Sequence, residues 1–418
     1  MTMRIAIDYT PAIRQGAGIG RYTRGLVRAL MELDAENEYV LLVVGKGQGA
    51  RGKKQEARSK KQEARSKRQE GNTKHETRNR KPGIAPASCI LHLASLPPNF
   101  RLRHIPLPHR LLTILWHRLR LPLPAEVFTG AADLFHSPDF VLPPLRRARG
   151  LITVHDLAFL RVPECADPGL RAYLSQAVPR SLARAHRILA DSQNTKRDLM
   201  ELLDVPAERI RVVPAGVDPC FRPVDDEAEL ERVRSRYSLR EPFVLSLGML
   251  EPRKNFTRLI EAHALLRRRL PSAPGLVIAG GKGWLYEGIF AAAEKSGGGR
   301  VRFLGFVPDE ALPALYTLAE LFVYPSLYEG FGLPPLEAMA CGTPVVCSDR
   351  PSLPETAGDA ALMVDAEDVE GLAVAMRRVL EDEALRARLV EKGFAQARRF
   401  TWEKAAQKLL AVYQEAKP

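Results

Sequence analysis

The run Tyr328-Glu329-Gly330-Phe331-Gly332-Leu333-Pro334-Pro335-Leu336-Glu337 sets two carboxylates on either side of a glycine turn. An apolar strand pattern, Leu321–Tyr324, precedes it, and prolines fall where the first turn of a helix should begin. A helix start exposes unpaired backbone N–H groups and the positive end of the peptide dipoles, which suits a phosphate or diphosphate. Glu329 lies before the turn and Glu337 about one turn inside the helix, so each can bond sugar hydroxyls at one end of a diphosphate. A second cluster, Glu251-Pro252-Arg253-Lys254-Asn255, follows the strand pattern Phe243–Leu247. Adjacent cations at a helix start can neutralise a diphosphate, and Asn255 is placed to N-cap that helix. The sequence has no D-x-D, the simplest carboxylate pair for holding Mg²⁺ or Mn²⁺ against phosphates. Metal-independent chemistry is therefore expected, with leaving-group charge met by Arg253, Lys254 and backbone dipoles.

These residues need strands to present them. Met3–Asp8 reads as a buried strand, followed by the turn Gln15–Gly20, an amphipathic helix Arg21–Leu33 and a strand Tyr39–Val44. Further strands are predicted near Cys89–Ala94, Asp133–Ser137, Leu151–His155, Arg187–Asp191 and Arg209–Val213, with helices over 108–120, 170–184 and 194–203. Pro214–Pro219 is a turn-rich boundary. Beyond it, Phe243–Leu247, Leu276–Ala279, Arg302–Leu304, Leu321–Tyr324 and Pro344–Cys347 read as strands of a second unit. The expectation is an α/β protein of two doubly wound, Rossmann-like domains facing across a cleft, residues 1–215 and 216–395. A last helix, 396–418, is expected to pack back toward the first domain.

Composition narrows the class. The chain has 418 residues, 45% of them apolar, and a formal charge of +13. Residues 46–81 hold 14 Lys/Arg against 4 Asp/Glu, so most of the excess is local. That segment repeats KKQEARS at 53–59 and 60–66 and has almost no large apolar side chains. It is expected to be a disordered insertion, 46–82, in a surface loop. A basic arm that binds nucleic acid or a charged surface is the competing reading. Arg101, Arg103, Arg110, Arg118 and Arg120 flank the apolar run Leu111, Leu112, Ile114, Leu115 and Trp116. That stretch fits either a basic membrane-surface helix or a helix packed on the sheet. Five cysteines without C-x-x-C argue against a disulfide framework or zinc site and suit a reducing compartment. The start reads as a strand and not a signal peptide, and no apolar run nears the ~20 residues of a membrane span. A cytoplasmic place, at the inner membrane face, is expected.

The motifs occur together in one order: GIGRY at 18–22, VHDLAF at 154–159, ADSQNTKRDL at 190–199, EPRKN at 251–255, LGFVPDEAL at 304–312, YPSLYEGFGLPPLEAMACGTPVV at 324–346 and SDRPSLPETAGDAAL at 348–362. With E-x7-E at Glu329 and Glu337, the chain resembles the retaining glycosyltransferases of family 4, which have the GT-B fold, and its mannosyltransferase-like members in particular. The resemblance spans nearly the whole chain except 46–81. It implies that Arg253 and Lys254 contact a donor diphosphate and that Glu337 holds the nucleotide ribose. Glu329 and the backbone of Gly330, Phe331 and Gly332, with Leu333 following, would contact the transferred sugar. The loop around Val307 would face the base. His155 would reach across the cleft to the donor sugar, and Gly18 and Gly20 would let the N-terminal loop approach it. Implied partners are a GDP- or UDP-linked sugar, with GDP-mannose the first expectation, and a saccharide or lipid-linked acceptor in surface-polysaccharide synthesis. Peripheral membrane contact is included, and no cofactor or specific nucleic acid is expected. A GT-B phosphorylase or sugar-nucleotide epimerase is the remaining alternative on the same fold.

Overall fold

A computed structural model describes residues 2–16, 18–45, 96–119, 121–297 and 300–418. The 46–82 insertion and the strand expected at Cys89–Ala94 lie outside the described residues.

The first sheet contains β1 (Arg4–Asp8), β2 (Glu38–Val44), β3 (Phe100–Ile105), β4 (Leu134–Ser137), β5 (Arg149–Val154), β6 (Arg187–Ala190) and β7 (Ile210–Val212). Their spatial order is β3-β2-β1-β4-β5-β6-β7, every pair parallel. The second sheet contains β8 (Phe243–Leu247), β9 (Gly275–Ala279), β10 (Val301–Gly305), β11 (Leu321–Tyr324), β12 (Val345–Ser348) and β13 (Ala361–Val364). Its order is β10-β9-β8-β11-β12-β13, again all parallel. Parallel strands covered on both faces read as continuous apolar runs, as VLLVV in β2 and FVLSL in β8 do. Each sheet reverses its winding once, at β1/β4 and at β8/β11. Backbone connections diverge there and leave a crevice at the carboxyl ends. EPRKN leaves β8 and SLYEGFG leaves β11, so the two charged stretches flank the switch point of the second sheet.

One strand differs from expectation. Arg101–Ile105 is not part of a basic helix but of edge strand β3, in register with β2 from Arg101↔Val40 to Ile105↔Val44. Its Arg101, Leu102, Arg103 and His104 are exposed, as charged edge strands are, and this hides the strand's apolar pattern. Pro106 and Pro108 end it, and the helix begins only at His109, widening to a π-turn over Ile114–Arg118. Asn255 also differs. Its side chain caps no helix; the residue adopts φ 59° between the turn Pro252–Lys254 and the helix Phe256–Arg269. Its amide instead donates to the carbonyls of Pro325 and Ala366, at 3.0 and 2.7 Å, fixing two loops of the second sheet together.

The helix Trp402–Glu415 crosses back onto the first domain. Tyr413 Oη meets His136 Nδ1 at 2.8 Å, and Arg149 Nη1 donates to the Lys417 carbonyl at 2.7 Å. The Trp402 ring packs on Tyr22, with centroids 5.8 Å apart, and on Gly25 of the helix Ile19–Leu33. A single apolar cluster runs from Met3 through Trp402 and Leu409 to Phe322, so part of the core is shared by both sheets. Gly25 is the tightest point of this contact: an added Cβ would lie 2.2 Å from Trp402 Cε2. Gly25→Ala improves helix propensity by up to ~1 kcal/mol, but overpacking against a buried ring costs about 1–3 kcal/mol. The expected result is a lower thermal unfolding midpoint by calorimetry; an unchanged or higher midpoint would contradict this packing.

Candidate active site

Arg253 and Lys254 sit in the short turn Pro252–Lys254 just after β8. Glu329 hangs from the loop after β11. The two loops are stitched by backbone, with Leu327 N donating to the Arg253 carbonyl at 2.8 Å. Side chains finish the joint. Lys254 Nζ lies 2.6 Å from Glu329 Oε1, and Arg253 Nη1 lies 3.0 Å from Oε2. Arg253 also bonds Glu251 Oε1 at 2.6 Å and the Tyr328 carbonyl at 2.8 Å. Tyr324 Oη, at the end of β11, accepts a hydrogen bond from Lys254 Nζ at 2.7 Å and donates to Glu329 Oε1 at 3.0 Å. Lys254, Glu251 and Glu329 are all buried. Burial disfavours the Glu329 charge, but Arg253 and then Lys254 outweigh it and hold the carboxyl down at about 2. For Lys254 burial wins, and its ammonium is lowered despite Glu329. Arg253, paired with both Glu329 and Glu251, stays fully charged.

Gly332, at φ 100°, turns the chain into the helix Leu333–Ala340. Pro334 and Pro335 donate no backbone hydrogen bond, so the free N–H groups at this helix start come from neighbouring residues. Glu337, on that helix, is 1% exposed. Its oxygens accept from Tyr316 Oη at 3.1 Å and from the Arg21 guanidinium of the first domain. Burial pushes its carboxyl up, against Arg21 and Tyr316.

The first domain meets this site along the carboxyl ends of β5 and β6. His155 follows β5, and its backbone makes the approach: a Cβ at Gly330 would lie 1.8 Å from the His155 carbonyl oxygen. Only glycine allows that contact. The imidazole itself is fastened within its own domain. Nδ1 meets Asp191 Oδ2 at 2.7 Å and Nε2 meets the Pro138 carbonyl at 3.1 Å. Tyr22 and Phe140 stand edge-on to the ring. With acceptors on both nitrogens, His155 is held as the imidazolium. Burial opposes that charge, but Asp191 outweighs it and raises the pKa to about 9. Thr195 Oγ1 donates to the carbonyls of His155 and Gly330 at 3.2 and 3.3 Å. Tyr328 Oη donates to Asp198 Oδ2 at 2.5 Å, and Glu355 accepts the N–H groups of Gln193 and Asn194 at 2.8 and 2.7 Å. Ser192 N-caps the helix Gln193–Leu203, and Asp156 accepts from the Ala158 N–H.

The structure therefore gathers Arg253, Lys254, Glu329, Gly330, Phe331, Gly332, Leu333 and Glu337 on one side of the cleft, with the His155 carbonyl against Gly330. Gly18, at φ 54°, caps the helix Ile19–Leu33, and Gly20 packs on the Gln15 carbonyl, so these glycines shape the loop. Val307 is buried in the core; its neighbour Phe306 is the exposed residue, and its ring lies against Gly16 of that loop. Sequence reasoning missed Arg21, Tyr316, Tyr324 and Asp191. Arg21 follows the glycine loop directly, which was its one local signal. Among the described residues no group of three or more His, Cys, Asp or Glu side chains is placed to hold a metal ion.

Two doubly wound parallel sheets facing across a charged cleft define the GT-B class of glycosyltransferases. Residues 16–221 match the family described as Glycosyltransferase Family 4, and residues 228–396 match Glycosyl transferases group 1. The chain is 37% identical over 282 residues to O-antigen chain mannosyltransferase B of Escherichia coli, covering 67% of this chain and 74% of that one. In structure it is similar to sucrose-phosphate synthase of Thermosynechococcus elongatus, with TM-score 0.69, 22% identity and coverage of 99% and 98%. It is also similar to Anabaena HepE in complex with UDP and glucose, with TM-score 0.66, 17% identity and coverage of 99% and 100%. At those identities the structural likeness is one of fold. The chain belongs to the group 1, family 4 glycosyltransferases, and it is a glycosyltransferase.

The His155–Asp191 pair has a pH signature. Because the folded pKa is raised above the unfolded ~6.5, its stabilising contribution is complete below about pH 6.5 and is lost as pH rises through about 9. The unfolding midpoint should fall as pH rises from about 6.5 to about 9, the window those two values set, and Asp191→Asn should flatten that fall. An identical decline in Asp191→Asn would show that another group is responsible.

Proposed function

We propose that this protein moves a hexose from a nucleoside diphosphate sugar to a saccharide or lipid-linked acceptor, with the anomeric configuration retained. Mannose from GDP-mannose, used in surface-polysaccharide synthesis at the cytoplasmic face of the membrane, is the favoured form. The observation that carries the reading is the pair Arg253 and Lys254, buried against Glu329 at the β8/β11 switch point. Two adjacent cations at the start of a helix-forming segment match a diphosphate, and Glu329 beside them matches a sugar hydroxyl. The choice of mannose is supported by the O-antigen mannosyltransferase relative.

In this reading the diphosphate lies between Arg253, Lys254 and the start of the helix Leu333–Ala340. The C1–O bond to the diphosphate loosens toward an oxocarbenium-like state as Arg253 and Lys254 take up the developing charge. The acceptor oxygen bonds C1 from the face the diphosphate leaves, and its proton passes to a departing phosphate oxygen. Glu329 is not assigned as nucleophile: two cations and Tyr324 already bind its carboxylate, which suits it to orient hydroxyls. Glu337 takes the ribose and the Phe306–Val307 loop faces the base. The first domain, closed on Gly330 through the His155 carbonyl, carries the acceptor. Among the described residues no helix is long and apolar enough to cross a membrane, so a lipid-linked acceptor would be met at the surface.

A transfer assay with labelled GDP-mannose, other GDP-sugars and UDP-sugars, using lipid-linked saccharide acceptors, tests this reading. GDP-mannose should be the donor consumed, and NMR of the product should show the donor's α configuration. Transfer from a UDP-sugar alone would move the donor assignment, an inverted product would overturn the mechanism, and no transfer from any donor would overturn the function.

A further inference from the structure

The donor-site reading gives Glu337 to a nucleotide ribose, and the following inference rests on that reading. In this structure the carboxylate is already taken. Arg21 of the helix Ile19–Leu33 sets its guanidinium fork on both oxygens, Nη2 on Oε1 and Nη1 3.4 Å from Oε2. Tyr316 Oη adds a third donor to Oε2 at 3.1 Å. Glu337 is 1% exposed, and the Arg21 side chain is largely buried too. A ribose diol offers two O–H donors and needs the same two oxygens in the same bidentate way. The fork and the diol cannot both face one buried carboxylate.

Arg21 has partners besides Glu337: its guanidinium carbon lies 5.1 Å from the centre of the Phe221 ring, and the Asp309 charge also favours its cationic form. The rest of the helix does not depend on it. Arg24 pairs with Asp309 at 3.4 Å and Arg28 with Asp218 at 2.7 Å, one and two turns further along the same helix face. With these pairs in place the first domain stays docked when Arg21 moves.

We propose that Arg21 is a cross-cleft latch that competes with the nucleotide for Glu337, so that donor binding exchanges a guanidinium for a ribose diol. The latch makes the empty site self-satisfied, since it leaves no buried carboxylate uncompensated. It also sets selectivity, because a ligand with a diphosphate and no ribose has nothing with which to displace it.

The test is calorimetric titration of GDP, UDP and inorganic pyrophosphate into wild type and Arg21→Gln, with unfolding midpoints measured for both. The latch predicts that Arg21→Gln binds whichever nucleoside diphosphate wild type takes about tenfold more tightly, the size of an ordinary coupling between sites. Pyrophosphate affinity should not change. Arg21→Lys keeps a cation without the fork and should show a smaller gain; this variant carries the test if Arg21→Gln does not fold. Nucleotide binding that is unchanged or weaker in the folded variants overturns the latch and leaves the donor-site reading standing. Failure of wild type to bind either nucleotide overturns the reading and the latch with it.

Discussion

The buried carboxylate of Glu329, held between Arg253 and Lys254, is the interaction on which the site depends. It ties the loop after β8 to the loop after β11 across the one place where the sheet's connections diverge. Without it three charged side chains would face each other in a site shielded from water. Breaking a buried pair by removing one partner costs about 3–5 kcal/mol, because the other charge stays behind. The geometry is kept by supports that carry no net charge: the Leu327–Arg253 backbone bond, the Asn255 amide on two loop carbonyls, and Tyr324 under both Lys254 and Glu329. The cation pair is thus held in place by its own protein surroundings, as the proposed stabilisation of a leaving diphosphate would require.

The second constraint is how closely the domains meet. The His155 carbonyl against Gly330, the Tyr328–Asp198 bond and Glu355 over the start of the helix Gln193–Leu203 all cross the cleft. The helix Trp402–Glu415 adds a lasting tie, anchored by Tyr413 on His136 and by Trp402 on Gly25. Polar contacts near the site can be exchanged for ligand contacts at modest cost, whereas the Trp402 packing cannot. The fold therefore joins the domains firmly at one end and by replaceable bonds where substrate must enter.

Much of this was legible in the sequence. Parallel strands buried on both faces announce themselves as apolar runs, and the glycine turn before Leu333 marks where a strand hands over to a helix. These local signals put Arg253, Lys254 and Glu329 in the loops after β8 and β11 and Glu337 on the helix that follows, which is where the structure has them. Edge strand β3 was not legible, because its exposed Arg101, Arg103 and His104 resemble a basic surface segment. Asn255 looked like a helix cap, since a residue of that type before a helix usually is one; its left-handed backbone instead aims the amide at Pro325 and Ala366. The Arg21–Glu337 pair joins residues on different domains, and no local spacing encodes such a meeting. The His155 ring was assigned outward from its motif, and only the fold shows Asp191 and the Pro138 carbonyl holding it inward.

The central claim is that Arg253 and Lys254 form a diphosphate site assembled in advance of its ligand. Its most direct test is calorimetric titration of GDP and UDP into Arg253→Ala and Lys254→Ala, both confirmed as folded. Losing a charged hydrogen-bond partner of the diphosphate is worth about 1.5–3 kcal/mol, so each variant should bind roughly ten- to a hundredfold more weakly than wild type. Wild-type affinity in both variants would contradict the account.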